Sequence, residues 1–179
     1  VSDNHLGDWG TQFGMIIYGY KHFLDRNAYE NDPVGELARL YRLVNTLCDY
    51  PEARQKLPLL EERLSELQQQ LSSFRTQAKE DKAVRKSLKR IESEIRDLIG
   101  TDERDGEIKT TRNKVVAIES SPFLSRAFQE HPQIVRSVRD ETAKLHAGDE
   151  ENTRLWEEFL PQCITALQQV YERLGISFD

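Results

Sequence analysis

The sequence predicts a mainly α-helical protein, a helical bundle with a coiled-coil-like segment in its middle. Apolar residues recur every three or four positions through most of the 179 residues, which is the period of one face of an α-helix. The middle stretch keeps this spacing with the strict alternation of a heptad seam. Prolines, glycines and clusters of polar residues separate the periodic stretches, as expected where helices end.

Composition and charge narrow the class of protein. The net charge is −6 and the isoelectric point is about 5.4, which argues against a uniformly basic nucleic-acid binder but allows a local basic patch. No apolar run approaches the roughly 20 residues of a membrane helix, and the first residues do not resemble a secretion signal. The two cysteines, Cys48 and Cys163, lack a Cys-x-x-Cys partner and fit thiols in a reducing compartment. We therefore expect a cytoplasmic protein without a membrane partner.

Residues 4–14, NHLGDWGTQFG, read as a turn that leads into a helix. Three glycines there would let the backbone approach a ligand closely. Asp8, Trp9 and Gln12 add a charge, a flat apolar wall and an amide near the positive end of the helix. The pattern is typical of a small-molecule pocket. The alternative is a turn that only caps the helix and buries its tryptophan.

The first helix is predicted from Gly10 to about Leu24, with Gly14 and Gly19 allowing close packing. A polar loop is expected over 25–33, and Asp32-Pro33 then indicates a helix start. Pro51 is expected to end or bend this second helix.

The middle of the chain carries two apolar seams, whose members follow. The first consists of Leu57, Leu60, Leu64, Leu67, Leu71, Phe74 and Ala78, and the second of Val84, Leu88, Ile91, Ile95 and Leu98. The phase slips by one residue between them. The absence of Gly and Pro at the slip favours one long rod, whereas the need of each seam for a partner favours a helical hairpin. The two remain open, with a preference for the hairpin or a bundle.

Later segments predict further helices separated by clear signals. A turn is expected at 101–106, then a helix that stops at Ser121-Pro122, a short helix, and a helix that Pro132 opens and Gly148 closes. The last helix is predicted from Glu151 to Leu174, bent or divided at Pro161. We expect His22, His131 and His146 to be surface or capping residues.

The run NHLGDWGTQFG, continued as MIIYGYK over 15–21, resembles the segment that follows the first nucleotide-binding motif of arginyl-tRNA synthetases. These are class I enzymes with a Rossmann-type catalytic domain. Residues 148–156 and 170–179 are similar to a later part of the same domain, in the right order, and GELARLY at 35–41 lies between. Together the pieces cover roughly half of the chain.

The resemblance implies that the helices are excised from a Rossmann-type α/β domain. It divides the chain into catalytic-domain residues 1–51, a helical coiled-coil-like insertion at 52–130, and a return to the catalytic domain at 131–179. Typical members pass from the second helix to the Pro132 helix by a short connection, so about eighty residues here have no counterpart in the resemblance.

The resemblance also implies an activity for a longer parent protein. That parent would activate L-arginine with ATP and magnesium, form arginyl-adenylate, and transfer arginine to tRNA. The HIGH and KMSKS motifs that such enzymes use are absent from these residues, as are P-loop, metal-ligand and Ser-His-Asp patterns. We therefore expect a segment that is inactive alone, with no catalytic residue, no metal site and no cofactor of its own.

Roles within the arginine pocket follow from the resemblance and from side-chain chemistry. Asp8 matches the acid that commonly meets the amino group of the amino acid, where a carboxylate gives a charge-assisted hydrogen bond. Trp9 would wall the pocket and could stack on a guanidinium. Asn4, His5 and Gln12 are expected to orient the substrate, because adenylate formation depends mainly on positioning and charge stabilisation.

The middle segment also carries sorted charge. Seven basic residues between 75 and 90 face only Glu80 and Asp81. Our hypothesis is that Lys82, Arg85, Lys86 and Lys89 contact tRNA. The alternative is the solvated charged face that coiled coils ordinarily carry.

The competing functional class is a coiled-coil scaffold that mediates dimerisation or docking. Independently of that choice, the apolar helix faces around Ile16 and Trp156 would lose their cover in an excised segment. We therefore expect the 179-residue chain to self-associate.

Overall fold

The computed structural model describes residues 10–77 and 82–173, except for the side chains of 75–77, 82, 83, 166, 167, 169 and 170. Within these residues it contains helices and no β-strand, so the mainly α prediction is confirmed. The helices are α1 (Thr11–Phe23), α2 (Arg26–Asn31), α3 (Pro33–Gln77), α4 (Lys82–Ile99), α5 (Glu107–Glu119), α6 (Pro122–Glu130), α7 (Ile134–His146) and α8 (Glu150–Arg173). None of the described helices is long and apolar enough to cross a membrane.

The chain divides into two compact units. The first comprises 1–48 and 130–179, and the second comprises 49–129. The core of the first unit is built from α1, α3, α7 and α8, elements far apart in sequence. Its buried members are Ile17, Leu37, Leu40, Leu145, Leu155 and Phe159.

Two glycines allow α1 to pack closely in the first unit. A Cβ added at Gly14 would clash with Thr142 Oγ1 and stand 2.9 Å from the Val138 carbonyl oxygen, so α7 lies directly against this backbone. A Cβ at Gly19 would meet the Leu40 Cβ at 3.0 Å, on α3. The expectation that both glycines permit close packing is confirmed.

The α7–α8 connection is a Schellman motif. Gly148 has φ +76°, and the Gly148 and Asp149 amides donate to the Leu145 and Lys144 carbonyl oxygens at 3.1 and 3.0 Å. The Asp149 side chain then accepts from the Asn152 amide at 3.1 Å and caps α8. Gly148 closes its helix as predicted.

Several predicted boundaries were wrong. Helix α3 does not end at Pro51 but continues through Pro51 and Pro58 to Gln77, and Pro161 does not divide α8. A bend at Pro51 or Pro161, the other alternative, stays a prediction. The supposed loop over 25–33 contains α2, because the Asp25 side chain accepts the Ala28 amide and caps a short helix. Packing along the flanking turns outweighs the hydrogen bond that each proline lacks.

The second unit is a helical hairpin, which decides between the two readings of the phase slip. Arg63 on α3 pairs with Glu94 on α4 at 2.8 Å, and Lys56 pairs with Glu107 on α5 at 2.7 Å. Helices α4 and α5 thus run back along α3, one after the other, and we call them the return limb. Its apolar cluster consists of Leu67, Ile91, Leu98 and Ile108, with Leu57, Leu60, Leu64, Leu71, Phe74 and Ile95 partly buried around it.

The predicted turn at 101–106 connects the two helices of the return limb. Gly100, at φ +95°, forms an isolated antiparallel bridge with Asp105. Cβ atoms added at Gly100 or Gly106 would collide with the backbone of the facing strand of the turn. Only glycine fits where the chain crosses itself this closely.

Candidate functional site

The predicted pocket residues fall at the amino end of the first unit. Asn4, His5, Asp8 and Trp9 lie outside the described residues. Gln12 lies in the first turn of α1 and is exposed. The role of all five residues stays a prediction.

An apolar groove lies beside Gln12. It encloses about 270 Å³ and is lined by Gln12, Ile16, Val34, Leu37, Ala38, Tyr41 and Cys163. Cys163 is half-buried, and burial raises the pKa of its thiol. Apart from Gln12 and the tyrosine hydroxyl, the lining is apolar, so this surface suits an apolar partner or chain segment better than a charged ligand.

The strongest polar feature of the first unit is a network centred on Lys21, which we call the Lys21 cluster. The Lys21 ammonium donates to Glu141 at 2.8 Å, to Asn152 at 2.7 Å and to Glu151 at 2.7 Å. These three acceptors lie on α7 and α8. One cation on α1 therefore ties together helices that belong to opposite ends of the sequence.

Asn152 and Glu141 complete the cluster. Asn152 is fully buried, and its side-chain amide donates to the Glu141 carboxylate at 2.9 Å and to the Glu141 carbonyl oxygen at 3.0 Å. Burial alone would raise the pKa of Glu141. Hydrogen bonds from Lys144, Lys21 and Asn152, with the charge of Lys21, outweigh burial and lower it to about 2.

Sequence analysis missed this cluster, although a signal was present. Ile134, Val138, Glu141 and Leu145 are spaced as one buried face of a helix, so a carboxylate occupies a core position. A buried carboxylate needs a cationic partner. Lys21 stands four residues after the buried Ile17, and that spacing could have nominated it as the partner.

A second ion pair stabilises the carboxyl-terminal end of α1. The buried Glu36 carboxylate accepts two hydrogen bonds from the Arg39 guanidinium, both at 2.6 Å. Arg39 also donates to the Phe23 carbonyl oxygen at 2.8 Å, and the Asp25 amide donates to Glu36 at 2.9 Å. The hydrogen bonds from Arg39 outweigh burial and lower the pKa of Glu36. The last turn of α1 is thereby held against α3.

The histidines differ from expectation at one position. His131 is not a plain surface or capping residue, because its Nδ1 lies 2.7 Å from the buried Tyr18 hydroxyl. Its ring also packs against Phe23 at 4.8 Å and His22 at 5.1 Å between centroids. Burial and the neighbouring His131 lower the pKa of His22. This cluster joins α1 to the segment that precedes α7.

A polar cleft of about 590 Å³ opens beside the Lys21 cluster. Its charged lining comprises Lys21, Arg26, Glu30, Glu151 and Arg154. Lys21 is already bound by its three acceptors, and the two arginines are exposed. Among the described residues, no group of three His, Cys, Asp or Glu side chains could hold a metal ion.

The four residues proposed to touch tRNA all lie on α4. Lys82 begins this helix, and its side chain is outside the described set. Arg85, Lys86 and Lys89 are exposed, as is Arg90, which follows them. The opposite face carries Leu88, Ile91 and Leu98 toward α3. These basic side chains are thus exposed, as a contact with tRNA requires, whereas the contact itself stays a prediction.

Comparison with known proteins shows which family this chain is similar to. A profile of the family "tRNA synthetases class I (R), catalytic domain" matches residues 1–104. An arginine–tRNA ligase of Rhodopirellula baltica is 38% identical over the whole chain, which spans 27% of that relative. Arginine–tRNA ligases of Fusobacterium nucleatum and Clostridium botulinum are 26% and 29% identical over the whole chain, which spans 17% and 18% of them. No solved structure matches the chain significantly.

The chain therefore spans about a quarter or less of the length of these relatives. The matched residues include the NHLGDWGTQFG run and helix α1, and they continue through α3 and α4. This chain belongs to the family of class I tRNA synthetases (R), catalytic domain.

Proposed function

We propose that the chain is a segment of an arginine–tRNA ligase, and that the whole protein activates L-arginine with ATP and magnesium and transfers it to tRNA in the cytoplasm. The observation that carries the proposal is the family match over 1–104, which contains the whole NHLGDWGTQFG run. Relatives matched over the entire chain bear the name arginine–tRNA ligase. By resemblance, a motif of the HIGH type handles the phosphates of ATP, and these 179 residues contain no such motif.

Within this proposal, residues 4–12 form part of the arginine site. Asp8 accepts from the substrate ammonium or guanidinium, Trp9 provides a flat wall, and Asn4, His5 and Gln12 orient the substrate. Support comes from the anchoring of α1, since Gly14 and Lys21 fix this helix against α7 and α8. A residue that precedes a rigid helix starts from a defined point, which is what positioning catalysis requires.

Arginine transfer by the full-length protein tests the proposal. We expect it to charge total tRNA with radiolabelled arginine when ATP and magnesium are present. Asp8→Asn should raise the KM for arginine about 10- to 100-fold, since a hydrogen bond to a charged group contributes about 1.5–3 kcal/mol. Asp105→Asn, in the exposed turn of the hairpin, is the matched control and should leave KM unchanged. An unmodified protein that fails to charge arginine contradicts the proposal.

Residues 52–130, which nearly coincide with the second unit at 49–129, are proposed to be an insertion in the catalytic domain. The two ends of this unit are adjacent, because the Tyr50 and Phe128 rings pack edge to face with centroids 4.8 Å apart. Tyr50 also donates to the Glu119 carboxylate at 3.1 Å. A segment whose ends meet can be added to a fold or removed from it without separating the flanking elements.

A scaffold function remains the second candidate, and exposed apolar side chains of the hairpin favour it. Leu59 is 63% exposed and Phe123 is 59% exposed. If these residues mediate docking or dimerisation, sedimentation should detect a particle heavier than the monomer. The substitutions Leu59→Lys and Phe123→Lys should reduce its mass. A concentration-independent monomer would exclude dimerisation through the hairpin.

The isolated chain is proposed to self-associate through its first unit. Ile16 lines the apolar groove, and Trp156 packs partly buried at the edge of the same core. In the whole protein other segments would cover this face. Light scattering of the 179-residue chain should show oligomers that Ile16→Glu suppresses, and a monomer at high concentration would refute the idea.

A further inference from the structure

We infer that the outward face of α4 binds the phosphate backbone of an RNA, which under the proposed function is the tRNA. We call this surface the basic stripe and define it as Arg85, Lys86, Lys89 and Arg90, all exposed. The inference rests on the proposed function for the identity of the RNA. Its physical basis is the geometry and charge of the hairpin.

The stripe is a continuous surface. Its residues stand three and four positions apart, so they are neighbours on one side of the helix. Ile91 lies on the other side and packs toward α3, and the half-buried Val84 and Leu88 share that side by their spacing. At 1.5 Å per residue the stripe extends about 8 Å along the axis, and a phosphate chain that runs along α4 could meet several of its cations.

Three cations of the stripe, Lys86, Lys89 and Arg90, take no part in the ion pairs that the structure describes between the limbs of the hairpin. Within the described residues, four ion pairs join α3 to the return limb: Asp49–Lys114, Lys56–Glu107, Glu61–Arg112 and Arg63–Glu94. All involve positions before residue 67 of α3. Lys86, Lys89 and Arg90 form no ion pair with any residue that the structure describes. The facing stretch 67–74, LQQQLSSF, contains no charge.

Two of the acids near the stripe are already paired within the hairpin. Arg63 binds Glu94 at 2.8 Å and Glu66 at 3.2 Å, so neither carboxylate is left to neutralise the stripe. Meanwhile Arg85 and Lys89, like Lys86 and Arg90, are like-charged neighbours at i,i+4. Such pairs destabilise a helix, and cations in its first half oppose the helix dipole. Helix stability therefore does not explain the stripe, whereas a polyanion would turn the repulsion into attraction.

The surroundings favour backbone contacts over base recognition. The exposed Gln70 lines a cleft together with Arg90 and offers amide donors for phosphate or ribose oxygens. The nearby aromatic residue, Phe74, packs toward the hairpin core and does not offer a stacking platform. We therefore assign the stripe a sequence-independent, salt-sensitive contact.

The test measures binding of the full-length protein to total tRNA over a series of salt concentrations. The stripe variant is Lys86→Gln/Lys89→Gln/Arg90→Gln, and the control, Arg96→Gln/Lys109→Gln/Arg112→Gln, removes the same charge elsewhere on the hairpin. We expect the stripe variant to bind about 10- to 100-fold more weakly at 0.1 M salt. The slope of log K against log salt should fall by about 2. The control should stay within about twofold.

Equal losses in the two variants, or no loss in either, would overturn the inference. Circular dichroism of both variants checks that the hairpin is intact, and Lys86→Arg/Lys89→Arg/Arg90→Lys should retain binding. Arginine charging separates the two claims. If the protein charges arginine and the stripe variant binds tRNA normally, the stripe inference fails alone. If charging is absent, the proposed function fails, while a selective loss of RNA binding in the stripe variant would still support the stripe.

Discussion

The Lys21 ammonium donates a 2.7 Å hydrogen bond to Asn152, a fully buried residue 131 positions away. Asn152 in turn donates to Glu141, which also accepts from Lys21. This closed triangle joins α1, α7 and α8. The two ends of the chain are thus held together by polar groups inside an apolar core, where each partner depends on the others.

Lys21→Met should destabilise the first unit by about 3 kcal/mol. The methionine keeps much of the side-chain volume but removes one of the two cations that pair with the Glu141 carboxylate, which is only 11% exposed. Urea unfolding followed by circular dichroism measures the change. Lys109→Met is the matched control, since its ion pair with Asp105 is exposed and contributes less than about 1 kcal/mol. Similar losses in both variants would contradict the importance of burial.

Stability should fall in acid because of Glu141. Its pKa is lowered from 4.5 to about 2, so the stabilisation is complete above about pH 4.5 and disappears as the pH falls towards 2. The full effect is at most about 3 kcal/mol. Unfolding free energies at pH 6 and pH 3 should therefore differ less in Glu141→Gln than in the unmodified chain. An unchanged pH dependence in that variant would assign the acid sensitivity to other carboxylates.

Gly14→Ala should cost about 2–3 kcal/mol, because the new methyl group would collide with Thr142 and the Val138 carbonyl oxygen. Adding Thr142→Ala should recover part of this loss. Gly148→Ala is the comparison: nothing lies within 4 Å of its added Cβ, but its φ is +76°. That substitution should cost about 1 kcal/mol through backbone strain alone, with no rescue by Thr142→Ala. Rescue of both variants would contradict the steric explanation.

Replacing 52–126 with a four-residue Gly-Ser linker should leave the first unit folded. The Tyr50 and Phe128 rings touch, so a short linker spans the gap at small entropic cost. We expect the shortened chain to unfold cooperatively on heating. Its midpoint should lie within several degrees of the midpoint of the first unit in the full chain. Loss of a cooperative transition would mean that the hairpin is part of the catalytic fold.

Much of the helical pattern could be predicted because it is local. The heptad spacing indicated two helices that need partners, and the structure pairs them as a hairpin through Leu67 and Ile91. Gly148 was identified as a helix stop, because a positive φ is a local demand that glycine meets. A helix end at Pro51 and a division at Pro161 were wrong because tertiary packing carried each helix through a residue that disfavours it.

The polar residues of the first unit were likewise predicted only in part. The run containing Asp8 and Trp9 was selected from its sequence, and its role remains a prediction. Lys21, Glu141 and Asn152 were not recognised as a group. Each looks like an ordinary polar helical residue, and only the packing of α1 on α7 and α8 brings their side chains within hydrogen-bonding distance.

The sequence by itself determined the family, the helical class and most helix stops, since motifs, apolar periodicity and caps are written into neighbouring residues. Only the tertiary structure decided that the middle segment reverses into a hairpin, that α3 runs through two prolines, and that Lys21 binds Glu141 and Asn152. The physical reason is the distance along the sequence over which each kind of interaction acts. Periodicity and capping act within a few residues, whereas a buried ion pair or a helix–helix seam gains its energy from partners that the chain brings together only on folding.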